Sequence, residues 1–302
     1  MGEAAKGVAA LVLACTVWGL SPIYYAEVAH VAPLTVLAFR TLWSLLFFVL
    51  LLGLQGRLGT LRAAFDSPRA MGTTFLAAVF VSANWFGFIH AVSTGQTVQS
   101  SLGYFIFPLV AVALGRVVLG ERLAVLQWVA VALAVAAVAV LTAGVGQVPW
   151  IALWLAVTFG VYGLVKKRLT LGPVVSVAAE VVLLAPVVAL WLWQAEVTLD
   201  LRTHLLLALS GLLTGGPLAL FAYAARRVRL STLGLGQYIN PSLQFLVATL
   251  WFAEPLSGWH AVAFPLIWIG LVLYSVTQVV QDRAARRRDS SEATSGTIVA
   301  NP

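Results

Sequence analysis

Leu102-Gly103-Tyr104-Phe105-Ile106-Phe107-Pro108 returns at an offset of 133 as Leu235-Gly236-Gln237-Tyr238-Ile239-Asn240-Pro241. Each copy is followed, at the same distance, by a glutamate and a leucine: Glu121 and Leu123 in the first, Glu254 and Leu256 in the second. Leucine matches carry little weight in an apolar chain, but glycine, proline and glutamate held at one offset read as an internal duplication. A neighbouring register supports it: Pro33 answers Pro173 and Arg40 answers Glu180 at an offset of 140, and Trp18-Gly19 faces Phe159-Gly160.

Working outward, apolar runs of about 20 residues, long enough to cross a hydrocarbon core, recur with short polar interruptions. Ten are expected, over residues 6–25, 33–53, 71–91, 98–118, 124–142, 148–166, 172–193, 203–224, 232–252 and 258–279. Hydrophobic residues are 61% of the 302, charged residues 10%, and mean hydropathy is +0.96, which excludes water as the main solvent of the chain. Five runs per half is an odd number, so the second copy enters the membrane from the opposite face. The expected fold is therefore an all-α integral membrane protein, ten transmembrane helices in two inverted five-helix repeats, residues 1–143 and 147–280. A disordered cytoplasmic tail is expected at 283–302, where four arginines precede a Ser/Thr/Gly-rich stretch.

The net charge of +7 is a matter of topology. Sixteen of the 18 Lys and Arg, among them Arg57, Arg116, Arg122, Lys166, Lys167, Arg227 and the arginines of the tail, fall on the side of the two termini; Arg202 lies on the other side and Arg40 within the second run. The positive-inside rule then puts both termini in the cytoplasm of a cell-membrane protein, and the basic clusters orient helices against anionic lipid rather than bind nucleic acid. The single cysteine, Cys15, excludes a disulfide framework and a cysteine-based metal cluster. Residues 12–15 loosely resemble a lipoprotein cleavage box, but the apolar run continues past Cys15 to Tyr25, as a retained first helix requires.

Arg40 and Glu180 are the two clear intramembrane charges, at matching positions of the two halves. A charge facing lipid costs about 2.5–3.5 kcal/mol, so each is expected to face the bundle interior, either paired with the other or used in substrate contact or proton coupling. Gly103, Pro108, Gly236 and Pro241 are expected to break the fourth and ninth helices, with Tyr104, Gln237, Tyr238 and Asn240 beside the breaks. Trp18 and Trp85, deeper than the belt of tryptophans at helix ends, and Asn84 complete the expected substrate pathway; His90, Gln99, Tyr162 and Tyr223 add scattered polarity. Gly211-Leu212-Leu213-Thr214-Gly215 is a small-xxx-small contact, assigned to internal packing rather than dimerisation.

Several of these stretches carry a resemblance that covers nearly the whole chain. They are Val17-Trp18-Gly19-Leu20-Ser21-Pro22, Arg40 with Trp43-Ser44, Asn84-Trp85, Ser101 to Ile106 with Pro108, Tyr162 to Lys167, Glu180, and Arg229 to Gly234 through Gln237-Tyr238-Ile239. The chain resembles the ten-helix drug/metabolite transporter superfamily, its EamA branch and the RarD-type permeases. It departs from that pattern at Gln99, commonly a glutamate, and at Phe107, commonly an asparagine. The resemblance implies a cavity ringed by helices 1–4 and 6–9, with helices 5 and 10 peripheral, and transport of small metabolites or drugs.

The expected function is a secondary transporter of small organic molecules, an exporter working by alternating access without a cofactor or metal. Proton coupling through Glu180 and facilitated diffusion fit the sequence equally, as do monomer and dimer. No Gly-x-x-x-x-Gly-Lys-[Ser/Thr] loop is present for nucleotide use. An intramembrane enzyme would need His-Glu-x-x-His, Gly-x-Ser-x-Gly or paired intramembrane aspartates, none of which occurs. A non-transporting receptor or scaffold is the other alternative.

Overall fold

The computed structural model describes residues 2–121, 123–195 and 197–298, the side chains at 230, 231, 278 and 282–298 excepted. Arg122 and residues 299–302 lie outside the described residues. Within them the chain is helical and without strands: α1 (Glu3–Glu27), α2 (Pro33–Leu54), α3 (Pro68–Ser93), α4 (Thr97–Leu119), α5 (Val125–Val145), α6 (Trp150–Lys166), α7 (Pro173–Gln194), α8 (Leu201–Ala225), α9 (Leu230–Gly236), α10 (Ile239–Leu246) and α11 (His260–Ile298). A 3-10 turn at Leu58–Ala64 joins α2 to α3 and a π turn at Val247–Trp251 continues α10.

Local chemistry sets the ends. Proline opens α2, α3 and α7, where its missing N–H leaves no intrahelical bond unmade, and the Ser67 hydroxyl accepts from the Ala70 N–H, 3.1 Å away, at the start of α3. Gly120 and Gly146 close α4 and α5 in the left-handed conformation. The first eight expected segments match α1–α8 to within three residues at every end.

Among the described residues, eight helices are long and apolar enough to cross a membrane. Two expected segments differ. The sixth, α6, is a 17-residue apolar helix, short for a span. The ninth is not one helix: α9 and α10 are divided by a turn at Gln237 and Tyr238, where the Gln237 N–H still bonds four residues back to Leu233 but those of Tyr238 and Asn240 bond only three back, to Leu235 and Gln237. Gly234 and Gly236 weaken the first piece, and Pro241 has no N–H to carry the ladder across.

By contrast α4 runs unbroken through Gly103 and Pro108, which corrects the expected break there. A Cβ at Gly103 would lie 2.7 Å from the Ala152 carbonyl oxygen, so its small size serves contact between α4 and α6 rather than a kink. The expected tail differs over its described part, since α11 continues as a helix to Ile298; the Ala/Arg-rich 284–288 stretch favours helix.

Side chains such as Leu50, Leu54, Val117, Val187, Trp193 and Leu250 stand exposed on the outer helix faces, an apolar surface suited to hydrocarbon. Inside, α1 packs on α8 and α10, α2 on α7 and α8, α3 on α6 and α7, α4 on α6 and α10, and α5 on α11. Gly211 on α8 meets the backbone of Trp43 on α2 and Gly215 meets the Phe47 ring, so this small-residue stripe joins two helices of one chain.

The ion pair between Arg202 and Glu27, at 3.0 Å, ties the first turn of α8 to the end of α1. Its side chains are 77% and 56% exposed, and such pairs contribute at most about 1 kcal/mol. Glu27→Gln is therefore expected to move the thermal midpoint of the purified protein by no more than about 2 °C. A larger drop would show that the start of α8 is held by this contact.

Candidate functional site

A cavity of about 630 Å³ lies between the helices. Every long element except α5 lines it, including the far part of α11 through Tyr274, Ser275 and Val279. The expectation that the tenth segment stays peripheral is thus corrected, whereas α5 packs outside against α11. The lining reaches Lys166, at the end of α6, and Pro173, at the start of α7, on one side of the bundle.

At the opposite side the walls are tied together. Ser101 Oγ donates to the Pro241 carbonyl at 2.8 Å, and Ser100 Oγ to Gln244 Oε1 at 3.0 Å. Gln244 in turn donates to Asn240 Oδ1 at 2.9 Å. Beyond them Glu254 accepts from the first two N–H groups of α4, Thr97 and Val98, each at 2.7 Å. These are orphan donors of a helix start, where a carboxylate is favoured by both hydrogen bonding and the helix dipole. The geometry depends on Ala253, a non-glycine residue at φ 51 that turns the chain after the π turn and aims Glu254 back at α4.

Arg40, on α2, is 6% exposed and lines the cavity. Its Nε donates to Thr214 Oγ1 on α8 at 2.9 Å, and its guanidinium carbon lies 4.2 Å from the Trp85 ring centre and 5.7 Å from that of Tyr25. Its Nη1 is buried with no hydrogen-bond partner.

Glu180, on α7, is fully buried, but its partner is Lys166 at 2.6 Å, with Tyr162 OH donating to the other oxygen at 3.1 Å. Ser176 also contacts the Lys166 ammonium. The pairing of Arg40 with Glu180 offered by the sequence is therefore not formed. Lys166 sits at the last turn of α6 and its four-carbon stem reaches back into the bundle, so the second half neutralises its own carboxylate.

Asn84 bridges three helices: Nδ2 donates to the Leu155 carbonyl at 3.0 Å and to Thr158 Oγ1 at 3.2 Å, while Oδ1 accepts from Tyr104 OH at 3.0 Å. Tyr104 meets Phe159 edge-on, and Trp18 packs against Phe221, each across the cavity wall. Gln237, Tyr238, Asn240, Pro108 and Pro241 line the cavity as well. Glu180, Gly103 and Gly236 are not in its lining; neither are His90, Gln99 and Tyr223. Sequence reasoning missed Lys166, Tyr25, Thr214 and Glu254. For Glu254 the signal was present, because it was half of the repeated Gly-to-Glu spacing.

Residues 5–143 match the profile of the EamA-like transporter family. Along most of its length the chain is similar to Protein RarD of Streptomyces exfoliatus, 42% identical, covering 94% of this chain and 92% of the relative. It is likewise similar to an uncharacterized transporter of Vibrio cholerae, 38% identical, covering 94% and 97%. A solved crystal structure, 20% identical and covering 90% of this chain and 97% of its own, shares the fold with a TM-score of 0.58.

Proposed function

Because the chain belongs to the EamA family, as a multi-pass membrane protein of the RarD type, we propose that it is a secondary carrier moving small organic molecules by alternating access. The observation that carries this reading is the shape of the cavity. Its lining comes from both halves, reaches the helix ends at one side and is tied shut at the other, as one half-cycle of such a carrier requires. Relatives whose names say transporter favour transport over catalysis.

Ten crossings in two inverted repeats are the arrangement we infer, with the divided α9–α10 segment and the short α6 completing the count. Packing supports it. Exchanging α1–α5 with α6, α7, α8, α9–α10 and α11 turns the α4–α6 contact into α10–α1, α3–α6 into α8–α1 and α2–α8 into α7–α3; α2–α7, α4–α10 and α5–α11 map on themselves. Finer agreement lies after the fourth and ninth segments. Gly120 and Ala253 both have positive φ, and the Glu121 N–H bonds the Gly115 carbonyl as the Glu254 N–H bonds that of Ala248, at the same offset.

The two glutamates then differ. Glu254 holds α4, whereas Glu121 faces Lys167 at 2.9 Å in an exposed pair. That asymmetry is what one end closed and one end open means in residues. With both termini placed in the cytoplasm by the positive-inside rule, the open end faces the cytoplasm of a cell-membrane protein and net export is the proposed direction.

The test is flux. The protein is purified, screened for metabolites that raise its thermal midpoint, and reconstituted in liposomes with and without a pH gradient. Saturable flux of at least one stabilising compound is the expected result, and stimulation by the gradient would add proton coupling. Stabilising compounds that are bound but never carried would sink the carrier in favour of a receptor or scaffold.

A further inference from the structure

Arg40 is a charge that the protein's own carboxylates leave unanswered. Among the described lining residues the charged groups are Arg40 and Lys166, and Lys166 is neutralised by Glu180 at 2.6 Å. The cavity lining therefore carries one net positive charge, at a guanidinium that is 6% exposed. One hydroxyl and two aromatic faces attract it, but such contacts do not replace the hydration a buried cation gives up, and Nη1 has no partner at all. A planar guanidinium with free N–H groups matches a carboxylate in two parallel hydrogen bonds.

The surroundings restrict what carries the anion. Trp85, Tyr104, Phe88 and Phe159 line the same cavity, and its volume of about 630 Å³ falls in the range of small-ligand sites. We propose that Arg40 is the anchor for the carboxylate of an aromatic monocarboxylate substrate. Trp85 and Tyr25 hold the guanidinium, and the substrate ring packs among the aromatic walls. This rests on the carrier reading above, and names the class of compound carried.

The probes are 3-phenylpropanoate and its neutral isostere 3-phenylpropanamide, with benzoate and indole-3-acetate and their amides as a small panel, bound to the full chain in nanodiscs and followed calorimetrically. The acid is expected to bind at least about tenfold tighter than its amide. Arg40→Gln is expected to reduce that ratio to nearly one, and Arg40→Lys to keep part of it. Because the wild-type comparison needs no variant, a misfolded Arg40→Gln protein leaves it decisive.

Equal affinity of acid and amide overturns the proposal, as does a preference that survives Arg40→Gln. So does failure of every acid in the panel to bind, or stabilisation by chloride alone that the acids do not displace, since the cation is then filled by an inorganic ion. Liposome flux separates this inference from the function it rests on. Acid-selective binding without flux keeps the anchor and removes the carrier; equal flux of acid and amide does the reverse.

Discussion

Glu180→Leu is expected to lower the stability of the purified protein by about 3–5 kcal/mol, because it leaves the Lys166 ammonium in the bundle without its carboxylate. Glu180 is fully buried and the Lys166 side chain only 22% exposed, so water replaces little of the lost interaction. In thermal midpoint the loss should be on the order of 10 °C. Lys166→Met with Glu180→Leu is expected to recover most of it, since an apolar pair of similar volume needs no compensation. A single variant that melts within about 2 °C of the parent would show that the pair is not what holds α6 against α7. The double variant also separates structure from transport: flux restored with stability assigns the pair to packing, and flux lost from a stable protein assigns Glu180 to the transport step.

The second large effect lies at the closed end. Glu254 receives two charge-assisted hydrogen bonds, from the Thr97 and Val98 N–H groups at 2.7 Å each, and bonds of this kind contribute about 1.5–3 kcal/mol apiece. Glu254→Gln removes the charge and one acceptor while keeping the size. The amides of Thr97 and Val98 are expected to exchange with solvent about ten to a hundred times faster, as the first turn of α4 is released. Later turns of α4 should keep their protection. Unchanged exchange at the two amides would mean that other contacts keep this end shut.

How much of this was legible in the sequence differs by level. Span positions follow from run length and from prolines and glycines at helix ends, which is why α1–α8 fall within three residues of expectation. The same local signal failed for the two Gly-to-Pro segments. Gly103 and Pro108 leave α4 whole, while Gly236 and Pro241 sit beside a division. The difference is in their companions: the second copy has Gly234 where the first has Ser101, and Asn240 where the first has Phe107.

At the site, Arg40, Asn84, Tyr104, Gln237, Tyr238 and Asn240 stand in the cavity lining, whereas Glu180, also expected along the pathway, is buried outside it with Lys166 and Tyr162 as partners. Partnerships were another matter. Lys166 sits at a helix end, where a sequence reading counts it as a topological charge, and the direction of its side chain decides that it meets Glu180 and frees Arg40. Period and depth do not fix such directions. Tyr25 and Thr214 came into contact with Arg40 only through the packing of α1 and α8 on α2.

The contact of Gly211 with the Trp43 backbone has a mechanical meaning. Trp43 is midway along the 22 residues of α2, and Gly211 is near the middle of the 25 of α8, so the two rods meet near their centres with Gly211 against the Trp43 backbone. With no side chain interposed, that point would be the fulcrum for the proposed alternating access. At 1.5 Å per residue the arms on either side are about 15 Å long, and a 10° tilt swings each tip by roughly 2.6 Å, in opposite senses at the two membrane faces. A seesaw placed there would widen one mouth by the same movement that narrows the other, as the proposed carrier needs.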